Sequence, residues 1–400
     1  MVCRPKTLLQ WFLVAIVSLQ VGCTDVRLGD YDERNAQADL PISLIATLHS
    51  KQRPIGQISA VTADGNGDVF AVDAQAQRIV VLPTALTRDV RTIGQQGSGP
   101  GDFSMIAASL VWAGDSLVAF DRRLRRFSYF NVAGLPLKSI QWTGGAIDLQ
   151  PPMALFGAAM SSDIYVAARR GVPVMRSMDS AEPVVAPEYA YVKVGANGEL
   201  AAVSIGDTVA PFIERTADCR AEDGSIHPLP TPLSSSSPLI AFLDGRRAAI
   251  ADPQSPDITI VDLGSGDVES ILSLPLAASP LSSDTWEAQP EVIAAREIET
   301  VHGRLSAIDG SPCPVTSPPG STFPYVRGIL ADTGGRLWLE TTIDGEESLT
   351  VMEADGAYMG SIALPPHDKS VAPYVRDGRL YLVSADGLGV QAIQVFSVQW

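Results

Sequence analysis

Charge is scarce in this chain. Only 18% of its 400 residues are Asp, Glu, Lys or Arg, below the usual quarter. Lys/Glu-rich helical stretches are missing, while Val, Ile, Leu, Ser and Thr dominate, a composition that favours strands. Histidine is also rare. The four histidines are dispersed, too few for a catalytic web, and no two stand at the helix or strand spacing that zinc needs. The four cysteines form no CxxC and no Cys/His ligand pattern. No G-x-S-x-G nucleophile elbow occurs. Basic residues are outnumbered, 29 against 45 acids, for a net charge of −16. Such a surface repels phosphate backbones, so a nucleic-acid partner is not expected.

What is present begins with an export signal. Arg4 and Lys6 make a short positive region. An apolar run from Leu8 to Leu19 follows, interrupted by Gln10 and Ser18. It is shorter than the roughly 20 residues of a spanning helix, and Val21-Gly22-Cys23 comes next. This is the signal-peptide pattern. It resembles a lipobox, although Gln20 stands three before the cysteine, where that motif usually has Leu. The resemblance implies cleavage after residue 22, a lipid on Cys23 as the membrane anchor, and, with Thr24 rather than Asp next, an outer-membrane address. A periplasmic or secreted protein is the other reading. Residues 23–40 are polar and read as a tether. Loss of 1–22 removes Arg4 and Lys6 and no acid, leaving the remainder more acidic still.

Hydrophobic residues make up 46% of the chain, enough for a substantial core in the remaining 41–400. Gly and Pro, 34 and 29 in number, are scattered, so they punctuate turns. The recurring unit is strand, Gly/Asp turn, strand, turn. Its first copy runs through ISAVT, VFAVD, RIVVL and VRTI, within 58–93, and a second spans 108–141. A third is looser, near 163–205. Further copies span 238–274, 325–365 and the stretch from Ser370 to the C-terminus. The last copy lacks a fourth strand, and Pro41–Leu48 is a strand without a partner of its own. Pairing the two closes a ring and hides two aggregation-prone edges. The expected fold is therefore all-β, a six-bladed β-propeller closed by its N-terminal strand. Residues 150–235 leave room for a second degenerate copy and a count of seven.

One segment breaks the rhythm. Residues 284–307 have helical composition, with Asp284 and Glu287 suited to a capping box. Pro290 resets the start to about Glu291, and Val292, Ile298, Val301 and Leu305 lie on one face. A helix between the fourth and fifth copies is expected. A Pro/Ser-rich loop follows it, and another, Cys219–Pro238, precedes the fourth copy. These two insertions hold Cys219 and Cys313, and in an exported protein a disulfide would join them.

Two stretches carry a family resemblance. GQQGSGPGDF, 94–103, resembles the inter-blade loop of NHL-repeat propellers, and LVAFDRRLRRFSYFNVAG resembles their repeat core. The fifth copy, RLWLE then VMEADGAYMGSIALP, is similar to six-bladed propeller lipoproteins of environmental bacteria. The resemblance implies the fold and is nearly silent on function.

The candidates for chemistry are few. GQQGSGPGDF lacks the Lys-Ser/Thr end of a phosphate-binding loop and reads as a tight crossover turn. Asp64, Asp68, Asp115, Asp244, Asp332 and Asp377 read as turn acids rather than calcium ligands. His49, His227, His302 and His367 read as solvent-facing. Arg122, Arg123, Arg125 and Arg126 form a basic run beside Asp121 and ahead of Phe127, Tyr129 and Phe130. Arginines with aromatics grip carboxylates or sugars; the bland reading has some of them ordering the turn through Asp121. Arg169 and Arg170 sit at the matching turn of the next copy. Trp112, Trp142, Trp286 and Trp338 read as packing residues, with Trp286 the most exposed. Two functions follow. One is a monomeric binding or scaffold module for a protein, peptide or glycan, needing no cofactor. The other is a propeller enzyme of calcium-dependent lactonase or lyase type, against which stand inner strands nearly devoid of acids.

Overall fold

The computed structural model describes residues 39–49, 55–84, 88–142, 154–157, 163–169, 189–195, 199–203, 205, 216–230, 239–277, 279–287, 290–307, 310, 312–313, 316, 325–343 and 345–400. Cys23, the 1–22 leader, most of the 23–40 tether and Arg170 lie outside them. Among the described residues no helix is long and apolar enough to cross a membrane.

The protein is nearly all-β, and every strand of its sheets pairs antiparallel to its neighbours. Strand β1 is Ile42–Leu48. Then come β2 (Ile58–Ala63), β3 (Val69–Asp73), β4 (Arg78–Leu82) and β5 (Arg91–Ile93), which form one meander. The second sheet is β6 (Ile106–Ala113), β7 (Ser116–Asp121), β8 (Arg126–Phe130) and β9 (Pro136–Gln141). The looser third copy is a full sheet of β10 (Ala154–Gly157), β11 (Ile164–Arg169), β12 (Tyr189–Val194) and β13 (Leu200–Ala202). Next, β14 (Thr216–Arg220) and β15 (Ile226–Pro230) make a hairpin where a loop was expected. The fourth sheet is β16 (Leu239–Phe242), β17 (Arg247–Ala251), β18 (Asp257–Asp262) and β19 (Val268–Ser273). After it stand α1 (Ser283–Glu287), α2 (Pro290–His302) and β20 (Ser306–Ala307), which adds to β14. The fifth sheet is β21 (Gly328–Ala331), β22 (Leu337–Ile343), β23 (Glu346–Met352) and β24 (Tyr358–Ala363). The sixth holds β25 (Tyr374–Arg376), β26 (Arg379–Ala385) and β27 (Gln391–Val398), with β1 as its fourth strand.

The register of β1 on β27 runs from Ile42 opposite Val398 to Leu48 opposite Ile393, with a bulge between Leu44 and Ala46. First strands touch in succession: β2 with β6, β6 with β10, β10 with β16, β16 with β21, β21 with β25, and β25 with β2. The apolar core is laid between sheets rather than within them. Phe70 and Val81 of the first sheet pack on Leu110 and Phe130 of the second. Val118 and Phe127 meet Val166 and Val192. Tyr165 stacks on Phe242 with ring centroids 4.1 Å apart. Leu239 and Ile260 meet Leu337 and Leu339, Trp338 meets Leu380 and Phe396, and Tyr381 and Ile393 meet Val61 and Val80. This arrangement is consistent with a β-propeller.

Local chemistry explains why the strands stop where they do. Asp64 Oδ1 accepts from the amides of Asn66 and Asp68, both at 2.9 Å. Asp332 Oδ1 accepts from Gly334 and Arg336, and its Oδ2 takes the Trp338 indole N–H at 3.0 Å. Asp244 Oδ1 accepts from the amides of Arg246 and Arg247. These are Asx turns between first and second strands. Asp377 (φ 50°) and Gly378 (φ 70°) form the left-handed pair of a two-residue hairpin turn between β25 and β26.

The inserted helices differ from expectation in detail. The cap of α1 is Ser282, whose Oγ accepts from the Thr285 amide at 3.0 Å, rather than Asp284. The inward face of α2 is Val292, Ala295 and Ile298. Val301 is 75% exposed, because it lies about two and a half turns beyond Val292 and so on the opposite side. Trp286, expected to be exposed, is only 2% accessible and packs with Leu281 and Val292. The fold-back of α1 on α2 buries a side chain too large and apolar to leave in water.

In the fifth sheet Glu347 sits between Arg327, at 2.7 Å, and Lys369, at 2.8 Å. Burial pushes its carboxyl up, but the Arg327 charge and hydrogen bonds from Lys369 and Arg327 outweigh it and hold the carboxyl at about 2. A depressed carboxylate contributes stability that is whole above its ordinary value of 4.5 and is lost as pH falls towards 2. Urea titrations of the native protein should therefore show a steeper loss of stability across that window than those of Glu347→Gln. Equal slopes would mean the triad contributes nothing.

Candidate functional site

In a four-stranded antiparallel meander, the turn from second to third strand and the connection from fourth strand to the next sheet leave by the same end. Hydrogen bonds confirm it locally. The Arg122 amide donates to the Met105 carbonyl and the Ala74 amide to that of Gln57. Each joins a second-to-third turn to the segment entering a first strand. This end of the molecule carries the Gly-rich run 94–103, the basic run at 122–126, Arg169 at the close of β11, and both insertions. The opposite end carries the compact Asx turns.

The basic run divides by function. Strand β7 ends on Asp121, which is fully buried. Its oxygens accept from the amides of Ser104 (2.5 Å), Met105 (3.3 Å) and Leu124 (2.8 Å). They are spent on backbone, so Asp121 does not order the arginines as the bland reading held. In the first sheet the equivalent Asp73 does take its arginine, Arg78, at 3.1 Å. Arg126 occupies the Arg78 position but turns to the Gly-rich run. It donates to the carbonyls of Ser98 (3.2 Å), Gly99 (2.6 Å) and Asp102 (2.7 Å).

That run is a rigid crossover rather than a phosphate cradle. Its amides serve its own carbonyls: Gly97 on Phe103 (2.9 Å), Phe103 on Gln95 (2.8 Å), Asp102 on Gly99 (3.1 Å). Gly94, at φ 69°, is required, because a Cβ there would lie 2.5 Å from the Phe103 ring.

Arg125 takes a left-handed conformation, φ 51°, and turns the chain. Arg122, Arg123 and Arg125 are exposed, and among the described residues none has an ion pair or a side-chain hydrogen bond. Several other arginines are paired with carboxylates: Arg88 with Asp68, Arg246 with Asp262, Arg336 with Glu353. The aromatics that follow face inward. Phe127, Phe130 and Tyr129 are 0%, 1% and 6% exposed, so none offers a flat surface to a sugar. Burial pushes the Tyr129 hydroxyl up to about 12.

The insertions meet in one module. Cys219 and Cys313 are bonded, with Cα atoms 5.8 Å apart, and pack with Leu229, Ala295 and Leu305. Arg296 of α2 ties it to α1 through Glu287 (2.9 Å) and pairs with Glu299 (2.8 Å) on its own helix. The buried Ser279 hydroxyl donates to the Thr342 carbonyl at 2.6 Å and anchors the module to β22.

Two of the four histidines meet here, which the sequence reading missed. The ring centroids of His227 and His302 are 4.9 Å apart. Asp223 accepts from His302 Nδ1 at 2.8 Å and from the Ser225 hydroxyl at 2.5 Å, and Ser225 reaches His227 Nε2 at 2.8 Å. The Ser225 and His302 bonds hold the Asp223 carboxyl below its usual range. This connectivity is not a nucleophile triad, because Asp223 orients the histidine that does not touch the serine. It joins the hairpin to the end of α2. The signal was available, since a Cys219–Cys313 bond requires the two insertions to be neighbours. Among the described residues no three His, Cys, Asp or Glu side chains are grouped to hold a metal ion.

No protein-family model matches the chain, and no curated protein matches it. Among solved structures it is similar to the virginiamycin B lyase of Staphylococcus aureus, at 12% identity, over 90% of this chain and 100% of that one, with a TM-score of 0.42. A member of the DUF4221 family from Bacteroides vulgatus aligns at 10% identity, over 91% and 99%, with a TM-score of 0.47. A gluconolactonase from Xanthomonas campestris aligns at 12%, over 89% and 99%, with a TM-score of 0.41. At such identities and TM-scores these likenesses carry nothing over to the activity of this chain.

If Arg126 alone among the four arginines is structural, Arg126→Ala should cost about 1–3 kcal/mol, the loss of charge-assisted bonds to the carbonyls of Ser98, Gly99 and Asp102. Arg122→Ala and Arg123→Ala should each stay within about 0.5 kcal/mol. Chemical denaturation of the three variants reads the difference, and equal costs would contradict it.

Proposed function

We propose that this chain is a six-bladed β-propeller closed by β1, held at the cell envelope by a lipid on Cys23, and working as a binding module for a partner. The blade count is supported by the six four-stranded sheets and by first strands that touch in cyclic order. The lipid is supported by the lipobox-like run ending at Cys23.

One observation carries the functional reading: elaboration is confined to one end of the sheets. The disulfide-stapled module, the rigid Gly-rich crossover and the basic turn all leave by that end. At the other end, among the described residues, the turns between first and second strands are short and Asp64, Asp332 and Asp244 are spent on amides of their own turns. A scaffold of rigid sheets lets connecting segments vary and carry recognition. Nothing in the packing of the sheets calls for the module, whose core of Cys219, Ala295 and Leu305 is its own.

A photo-crosslinking amino acid at Met105, which is 48% exposed at the elaborated end, tests this in the native envelope. A second, at the exposed Ala357 in a turn of the opposite end, is the control. The reading expects a discrete adduct from position 105 and none from 357. Adducts from neither, or from 357 alone, would remove it.

A further inference from the structure

We infer that Arg122, Arg123 and Arg125 are a recognition site for an acidic peptide segment, one carrying several Asp or Glu carboxylates, on the partner; this rests on the reading of the elaborated end as a binding face. The first argument is electrostatic. In a chain of net charge −16, three exposed arginines within one turn have no carboxylate partner among the described residues. The acid that precedes them in the chain, Asp121, is buried and committed to three backbone amides. A turn whose only task was to reverse the chain would not need three like charges held close together, which repel.

The second argument is preorganisation. Arg126 pins the turn to the Gly-rich crossover through three carbonyls, and Asp121 pins its start. The guanidinium groups are thus carried by a fixed backbone, and each can take a carboxylate through two parallel N–H donors. Arg126 is a positioning residue here and does not touch the ligand.

The third argument selects among anions. An acidic glycan would be gripped through its charge and by stacking of sugar on an aromatic face. The aromatics of this turn, Phe127, Tyr129 and Phe130, are buried and offer no such face. Among the exposed side chains beside the site is Met105, a flexible thioether suited to apolar side chains of a peptide.

The test is fluorescence anisotropy with the full chain and a fluorescein-labelled decaglutamate peptide, against an uncharged peptide of equal length and a sulfated oligosaccharide. Decaglutamate should bind, and the uncharged peptide should not. Arg122→Ala/Arg123→Ala/Arg125→Ala should weaken binding at least tenfold, and rising salt should weaken it in the native protein far more than in the variant. The triple Lys variant should keep part of the affinity, since charge stays while the two-pronged contact goes. Decaglutamate binding unchanged by the triple Ala variant, or tighter binding of the oligosaccharide, overturns the inference. The Met105 crosslink, repeated in the triple Ala variant, separates the two proposals. An adduct that persists at full yield refutes the arginine site while the binding face stands. No adduct even in the native protein refutes the face itself.

Discussion

The pairing of β1 with β27 is the contact on which the rest of the structure depends. Each sheet buries its apolar side chains against the next, so the core exists only while neighbours are held together. The sixth sheet contributes to two inter-sheet clusters, one with the first sheet and one with the fifth. Strand β1 supplies residues to both, Ala46 and Leu48 to one and Ile42 to the other, where Leu40 just before the strand joins it. Without β1 the hydrogen-bonding edge of β27 would be open along its length, an invitation to pair with another chain. Chain ends far apart in sequence therefore meet in one sheet, and the sheets between them need not be held by any single covalent link.

That construction frees the connections at one end of the sheets. The repeated task of a blade is done by strands and by Asx turns, and Asp64, Asp244 and Asp332 do it in the same way. At the other end the copies diverge. In the first sheet Asp73 takes the amides of Gly56 and Ala76 and also Arg78; in the second Asp121 takes backbone amides alone and Arg126 leaves for a neighbouring loop. The altered partner of Arg126 ties this turn to the Gly-rich run, and the turn itself carries three arginines where the first sheet has Ala74, Gln75 and Gln77. Beside the fourth sheet the divergence goes further, to a module with its own disulfide and core.

Much of this was legible in the residue pattern. Strands of alternating or wholly apolar residues between Gly/Asp turns give a signal at each copy, and an odd strand at each end of the chain invites pairing. The cysteines were legible because no other partners remained. What was not legible depends on contacts between separate segments. Trp286 is buried by a fold-back of α1 on α2, and His227 lies on a strand beside His302 because two insertions dock. Neither contact has a local signature. Val301 was misplaced by extending a helical face past the turns that pack. The roles of the four clustered arginines could not be separated by pattern, since Arg126 differs from its neighbours only in which carbonyls lie within reach.

Hydrogen exchange of the β1 amides tests the central claim most directly. If β1 is the strand that holds the sheets together, its paired amides should exchange only when β26 and β27 do, with the same opening free energy as the most protected core amides. Exchange of residues 42–48 at the rate of a free tail, while β26 and β27 stay protected, would contradict the account.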